Sequence, residues 1–303
     1  MNKNYQSSVM LRDAQERQND NDAQLSLMME RFKKAQQKRS AWEGLWKEAY
    51  EYALPQRNNF MQTDISARRQ HDHLYDATAL DAVEQLAASL LGNLTPPWSQ
   101  WFGLKPGPDL SAREAEALAP ALEQAAKTIQ AHFDRSNFVV EIHQCYLDLI
   151  VGGTAALAFE EAEPGNFSAF RFAAIPLSRI ELEEGEDGIL DGSFRQLKLT
   201  LAQLKGRYPL STLPDRIVAA GQKDPQQRFD VLESYLPGHM GGYDFKACLL
   251  QDGETSPYLL KAHSLAQPPV IAFRWLKSPG EIYGRSPVMK ALPDIKTANK
   301  VVE

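Results

Sequence analysis

At 303 residues the chain has room for about two domains, and 43% hydrophobic with 24% charged residues is an ordinary globular composition. A net charge of −6 and a sequence pI near 5.6 argue against a dedicated nucleic-acid binder, which gains affinity from a basic excess that displaces counterions. The N-terminus lacks the apolar core of a signal peptide, and no apolar run approaches the roughly 20 residues that span a bilayer, so the sequence reads as a soluble, cytosolic product with no membrane partner.

Residues 1–22 are polar and charged and read as a mobile arm. A helix is expected over 23–53, because Leu25, Met28, Phe32, Ala35, Trp42, Leu45, Ala49 and Tyr52 recur at three- and four-residue steps. Trp42 and Trp46 fall on one side of it. Pro55 ends it, lacking the donor that a further turn needs. A polar connection follows, with Phe60 and Tyr75 as aromatic anchors. The alanine- and leucine-rich stretch 78–94 is a second helix, facing inward through Val83, Leu86, Leu90 and Leu94.

"TPPWSQWFGLKPGPDL" holds four prolines, two tryptophans and a phenylalanine. It is expected to form a rigid aromatic corner, each buried ring contributing about 2–3 kcal/mol. Ser111 and Glu114 have capping-box spacing and open a third helix, which Pro120 is expected to kink or restart. Asn137 is expected to cap a fourth, which Gly152 and Gly153 stop.

From Thr154 the hydrophobic period becomes two. "TAALAFEEAE" and "FSAFRFAAI" read as paired strands around "EPGN". "SRIELEEGEDGILDGSFRQLKLT" reads as a hairpin turning at Gly185 to Gly188. Two short helices, "TLAQLKGRYP" and "STLPDRIVAAG", precede four strand-like runs: "RFDVLESYLP", "DFKACLLQ", "YLLKA" and "PPVIAFRWLK", with "QDGE" as a tight turn. Ser286 and Pro287 form a helix start: a hydroxyl that accepts a backbone N–H, then a residue with preset φ. Pro293 leaves room for a kink or a later start near Asp294. The fold class is α+β, with a helical first half and a strand-rich second half.

Little of this sequence points to catalysis. Cys145 and Cys248 stand alone and read as buried thiols. The densest polar cluster is His71, Asp72, His73 and Asp76, a metal-ligand candidate whose spacing suits a solvated loop better. The acidic run "IELEEGEDG" lacks calcium-loop spacing and reads as a solvated, self-repelling surface. Lys205, Arg207, Lys290 and Lys296 read as solubilising charges. No catalytic, cofactor or metal residue is assigned.

Four blocks in order resemble the portal, or head-to-tail connector, proteins of short-tailed, podovirus-like bacteriophages. The first is "RSAWEGLWKEAYEYALPQRNNF", with Arg39, Trp42, Tyr50 or Tyr52, and Pro55. The second is "DATALDAVEQLAASLLGNLTPPWSQWFGL", with Leu86, Ala87, Leu94, Pro96, Trp101 and Phe102. The third, "FVVEIHQCYLDLIVGGTAALAFEE", carries Gly152, Gly153, Thr154, Ala155 and Leu157. The fourth is centred on Tyr283, Gly284, Arg285, Ser286 and Pro287.

The resemblance implies a structural virion protein, not an enzyme and without cofactors. It implies a ring, commonly of twelve subunits, at one capsid vertex, assembled in the host cytoplasm. Its implied partners are the packaging ATPase (terminase large subunit), capsid and scaffolding proteins, a tail adaptor, and double-stranded DNA passing without sequence specificity. It also implies a wing-like region over 23–177, a region including the clip over 178–285, and the start of a stem-type helix over 286–303. Members of the family run on further, so the sequence is expected to be an N-terminal part. A non-portal adaptor with a wing-like fold is the alternative, and a metal-dependent enzyme using the His71 cluster a more distant one.

Overall fold

The structure, a computed structural model, describes residues 3–57, 74–238, 241–250 and 257–303, with side-chain environments from Ala23 onward. The chain divides into two compact units, Met1–Ala41 with Arg179–Pro268, and Trp42–Ser178 with Pro269–Glu303. Helix α1 (Lys3–Ala53) supplies residues to both. It ends where Pro55 requires but begins at Lys3, not near Ala23.

The first unit is built on an antiparallel meander of five strands in chain order: β3 (Ile180–Glu184), β4 (Leu190–Thr200), β5 (Arg228–Pro237), β6 (Tyr243–Leu249) and β7 (Tyr258–Leu265). Two short helices, α5 (Leu201–Arg207) and α6 (Asp215–Lys223), join β4 to β5. Thr200 opens α5 with a capping box closed by Gln203. Strand β5 is buried along most of its length because both its faces are covered. Alternation puts Leu232, Ser234 and Leu236 on one face, where they meet α1. Leu25, Met28, Phe32 and Ala35 of α1 pack there with Phe194 and Cys248. The opposite face carries Glu233, which accepts from Arg207 Nε at 2.7 Å and from the Tyr208 and Tyr235 hydroxyls at 2.7 and 3.2 Å. Burial, with the Glu233 charge adding to it, pushes both phenols well above the ordinary tyrosine range.

Two expectations about charge are overturned in this unit. The acidic hairpin is solvated only at its turn, where Glu186 and Asp187 are exposed; its strand carboxylates are covered. Glu181 is fully buried, with Arg39 Nε at 3.3 Å and Gln196 donating at 2.7 Å, and Glu183 accepts from Arg31 Nε at 3.2 Å. The second acidic side chain faces a partly covered arginine; the first is dry, and a dry carboxylate requires a partner. Arg207 is likewise no solubilising charge, since it holds the buried Glu233. The tight turn expected at 251–254 lies outside the described residues, as does Phe60.

The second unit sets helices α2 (Thr78–Leu94), α3 (Ala112–Arg135), α4 (Phe138–Gly152) and α7 (Pro287–Val302) around a three-stranded antiparallel sheet. Its order is β2 (Phe170–Ile175), β1 (Thr154–Glu161), β8 (Val270–Arg274), with Ala156 opposite both Ile175 and Ala272. The Ser111 capping box forms as expected. Pro120 does not break α3, and Pro293 does not delay α7, which starts at Pro287. Asn137 occupies the N-cap of α4 but does not cap it. Its amide bridges the β2 backbone instead, donating to Phe172 O at 2.8 Å and accepting from Phe172 N at 2.9 Å. Cys145 and Cys248 are free and buried.

Candidate functional site

The densest arrangement of motif residues lies within the second unit, where α4 turns into β1. Helix α4 needs an exit that reverses direction within one residue. Gly153 supplies it with φ +75°, in the left-handed region that side chains disfavour, and donates to Leu149 O at 3.0 Å. The turn also brings backbone against backbone. A Cβ on Gly153 would lie 2.1 Å from Gly284 O, and one on Gly284 would lie 2.3 Å from Gly153 O. A Cβ on Gly152 would lie 2.5 Å from the Leu177 side chain. These two segments, remote in sequence, touch only because neither carries a side chain there.

Hydrogen bonds fasten the approach. Gly284 N donates to Thr154 Oγ1 at 2.8 Å, and Trp275 N to Gly153 O at 2.9 Å. Ser286 Oγ donates to Val151 O at 2.9 Å and accepts from Met289 N at 2.9 Å. One hydroxyl therefore caps the start of α7 and ties it to the end of α4.

Aromatic rings close one side. Trp46 Nε1 donates to Gly152 O at 3.0 Å, and its ring meets Tyr283 edge-on at 4.8 Å. Trp42 stacks on Trp46 at 6.1 Å, and the Arg285 guanidinium lies 4.7 Å over the Trp42 ring while pairing with Glu281. Nearby, Asp148 accepts from the Tyr50 hydroxyl and from Arg57, each at 2.7 Å. Burial pushes the Asp148 carboxyl up, against the pull of Arg57 and of the Tyr50 hydrogen bond, and it pushes the Tyr50 phenol well up. Further along, Lys296 pairs with Glu48 at 2.6 Å, and Asn299 Oδ1 accepts from Tyr75 N at 2.7 Å and Asp76 N at 3.2 Å. Lys296 is thus another expected solubilising charge that holds a partner.

The structure brings together Trp42, Gly152, Gly153, Tyr283, Gly284, Arg285, Ser286 and Pro287. It does not bring the other motif residues to them. Trp101 and Phe102 form a separate cluster with Phe133, Trp101 also stacking on Phe138 at 5.8 Å. Leu94 is exposed at the end of α2, Pro96 is half-buried, Pro55 is buried after α1, and Arg39 belongs to the first unit. Sequence reasoning placed Trp46 beside Trp42 and left Tyr50 and Tyr52 as alternatives; the structure buries Trp46 and Tyr50 and leaves Trp42 and Tyr52 half-buried. It missed Thr154 as a tether, Asp148 and Asn299. Polar residues inside apolar runs were the available signal.

The hydrogen bonds and ring contacts described at the junction fasten its segments to one another. Of the metal candidate, only Asp76 is described, and its carboxylate accepts from Thr78 N and Oγ1 at 2.9 and 2.6 Å. His71, Asp72 and His73 lie outside the described residues. No described helix is long and apolar enough to cross a membrane.

Residues 25–303 match the family described as bacteriophage head to tail connecting protein. The chain belongs to this family. It is 23% identical over 291 residues to a probable portal protein of Bordetella phage BPP-1, and 21% identical over 281 residues to a portal protein of Salmonella phage epsilon15. Each alignment covers 89% of this connector-family chain and 50% of the relative, so the chain spans about half the length of the curated relatives it matches. The junction residues fall inside the matched range.

Proposed function

We propose that this chain acts as a subunit of a phage portal, a structural ring at one capsid vertex through which double-stranded DNA is packaged and ejected. The observation that carries this reading is the family match over residues 25–303, together with two relatives named as portal proteins along nearly the whole chain. On this reading α7 is a stem-type helix, the 178–285 region includes the clip, and 23–177 is wing-like. The partners are further copies of the chain, the packaging ATPase, capsid and scaffolding proteins, and a tail adaptor. The setting is the virion, after assembly in the host cytoplasm. The role is structural, and no catalytic step is assigned to any residue.

Two features support it physically. The net charge of −6 suits a conduit, because each phosphate a channel neutralises strengthens binding and slows transit. In addition, the second unit exposes Leu94, Trp98, Leu104, Leu110 and Leu118 around the proline-rich stretch. A ring subunit meets its neighbours through two different faces and needs apolar surface beyond its own core.

Electron microscopy and mass photometry of the purified chain test the proposal. Closed rings with a central channel are the expected result. Monomers alone at high concentration, both by themselves and after coexpression with a packaging ATPase and scaffolding protein, would refute it and favour an adaptor module.

A further inference from the structure

A second feature of the Trp42–Ser178 segment has no part in the junction. The loop between β1 and β2 is braced by its own bonds: Ala162 N to Ala169 O at 2.8 Å, and Asn166 Nδ2 to Glu163 O at 2.8 Å. It holds Phe167 at 92% exposure, the most exposed aromatic side chain among the described large hydrophobics. Phe167 lines a mainly polar cavity of about 440 Å³ with Arg135, the last residue of α3, and Arg171 of β2.

The polar groups around the cavity differ in how far they are committed. Ser136 Oγ donates to Phe133 O and accepts from Phe138 N, while Ser168 Oγ donates to His132 O and accepts from Phe170 N. Both hydroxyls therefore brace the walls. Neither arginine forms an ion pair among the described residues, although Glu160 stands opposite Arg171 in the sheet register. Two arginines without an ion pair, an exposed phenylalanine and Glu163 thus line one concavity.

We propose that this cavity binds a nucleoside phosphate. Guanidinium groups match phosphate geometry and stay charged at any relevant pH. The ring of Phe167 offers a face on which a base stacks. Glu163 disfavours a ligand that is anionic throughout and accepts from a sugar hydroxyl or an exocyclic amine. The volume lies within the usual range for small-ligand sites. The source of the nucleoside phosphate is either a free nucleotide or a single strand, and the site is independent of whether the chain forms a ring.

Calorimetric titration of the full chain with AMP, with a short single-stranded oligodeoxynucleotide and with inorganic phosphate tests the proposal. Saturable binding of AMP or the oligonucleotide is expected, and the tighter of the two identifies the source. R135Q and R171Q are each expected to weaken it about tenfold or more. F167A is expected to weaken it about tenfold while leaving phosphate binding unchanged. All three positions are on the surface, so thermal melts matching the parent confirm that the fold is kept. Failure of all three probes to saturate, indifference to both arginine substitutions, or a phosphate affinity equal to that of AMP with no effect of F167A would each overturn the proposal.

Discussion

Replacing Gly284 by alanine tests the claim that the junction depends on two bare backbones in contact. The added Cβ would sit 2.3 Å from Gly153 O and 2.9 Å from the Arg274 side chain. Ordinary contact needs about a further ångström, and the obstacle is backbone on a helix exit that cannot rotate aside. Overpacking of this kind costs about 1–3 kcal/mol. Opening the gap also stretches the Gly284 N to Thr154 Oγ1 and Trp275 N to Gly153 O bonds, each contributing about 1 kcal/mol. The expected loss is about 3–5 kcal/mol. For a unit of roughly 170 residues this lowers the melting temperature by roughly 6–20 °C. Urea unfolding followed by tryptophan fluorescence measures it, since Trp42, Trp46 and Trp275 surround the site. Gly44→Ala is the control: nothing lies within 4 Å of the new methyl in the middle of α1, so it should stabilise by about 0.5–1 kcal/mol. If Gly284→Ala stays within about 1 kcal/mol of the parent, the close approach is not what fastens α7.

Other substitutions probe the remaining claims. Arg39→Ala leaves Glu181 dry and should destabilise by about 3–5 kcal/mol, whereas joint replacement by Met at 39 and Leu at 181 should recover most of that in denaturant melts. Trp46→Phe keeps most of the ring but strands the Gly152 carbonyl, for an expected loss of about 1–3 kcal/mol in the same assay. Burial pushes the Cys248 thiol up to about 12, so at pH 8 roughly one molecule in ten thousand carries the thiolate. Ellman's reagent should therefore label neither cysteine in the native chain and both after unfolding. Because this folded thiol pKa is raised, its contribution to stability is fully present below the ordinary cysteine pKa and fades as pH climbs toward 12.

The elements were legible in the sequence where periodicity or capping had one meaning. The 25–35 stripe, the Ser111 and Ser286 starts and the Gly185–Gly188 turn all follow from local spacing. Arg39 was not legible as a stripe member, because a charge at an inward position looks like a surface residue until its buried partner is known. Asn137 misled for a related reason: an amide that can cap a helix can also pair a strand, and the nearer backbone wins. The family motif marked Gly153 and Gly284 but not their contact. Nothing in either segment names the other, since a glycine kept bare for a turn and one kept bare for a neighbour are the same letter. Likewise, the grouping of 1–41 with 179–268 does not follow from adjacency along the chain.

The sheet order β2-β1-β8 also has a consequence in time. Strand β1 ends at Glu161, whereas its second neighbour begins at Val270. On a ribosome adding about 5–20 residues per second, the β1–β2 hairpin waits roughly 5–20 seconds with one edge open. An open edge recruits other strands. Nascent chains are therefore most vulnerable to mispairing in that interval, and yield should respond to chaperones that shield hairpins more than to those that act on finished chains.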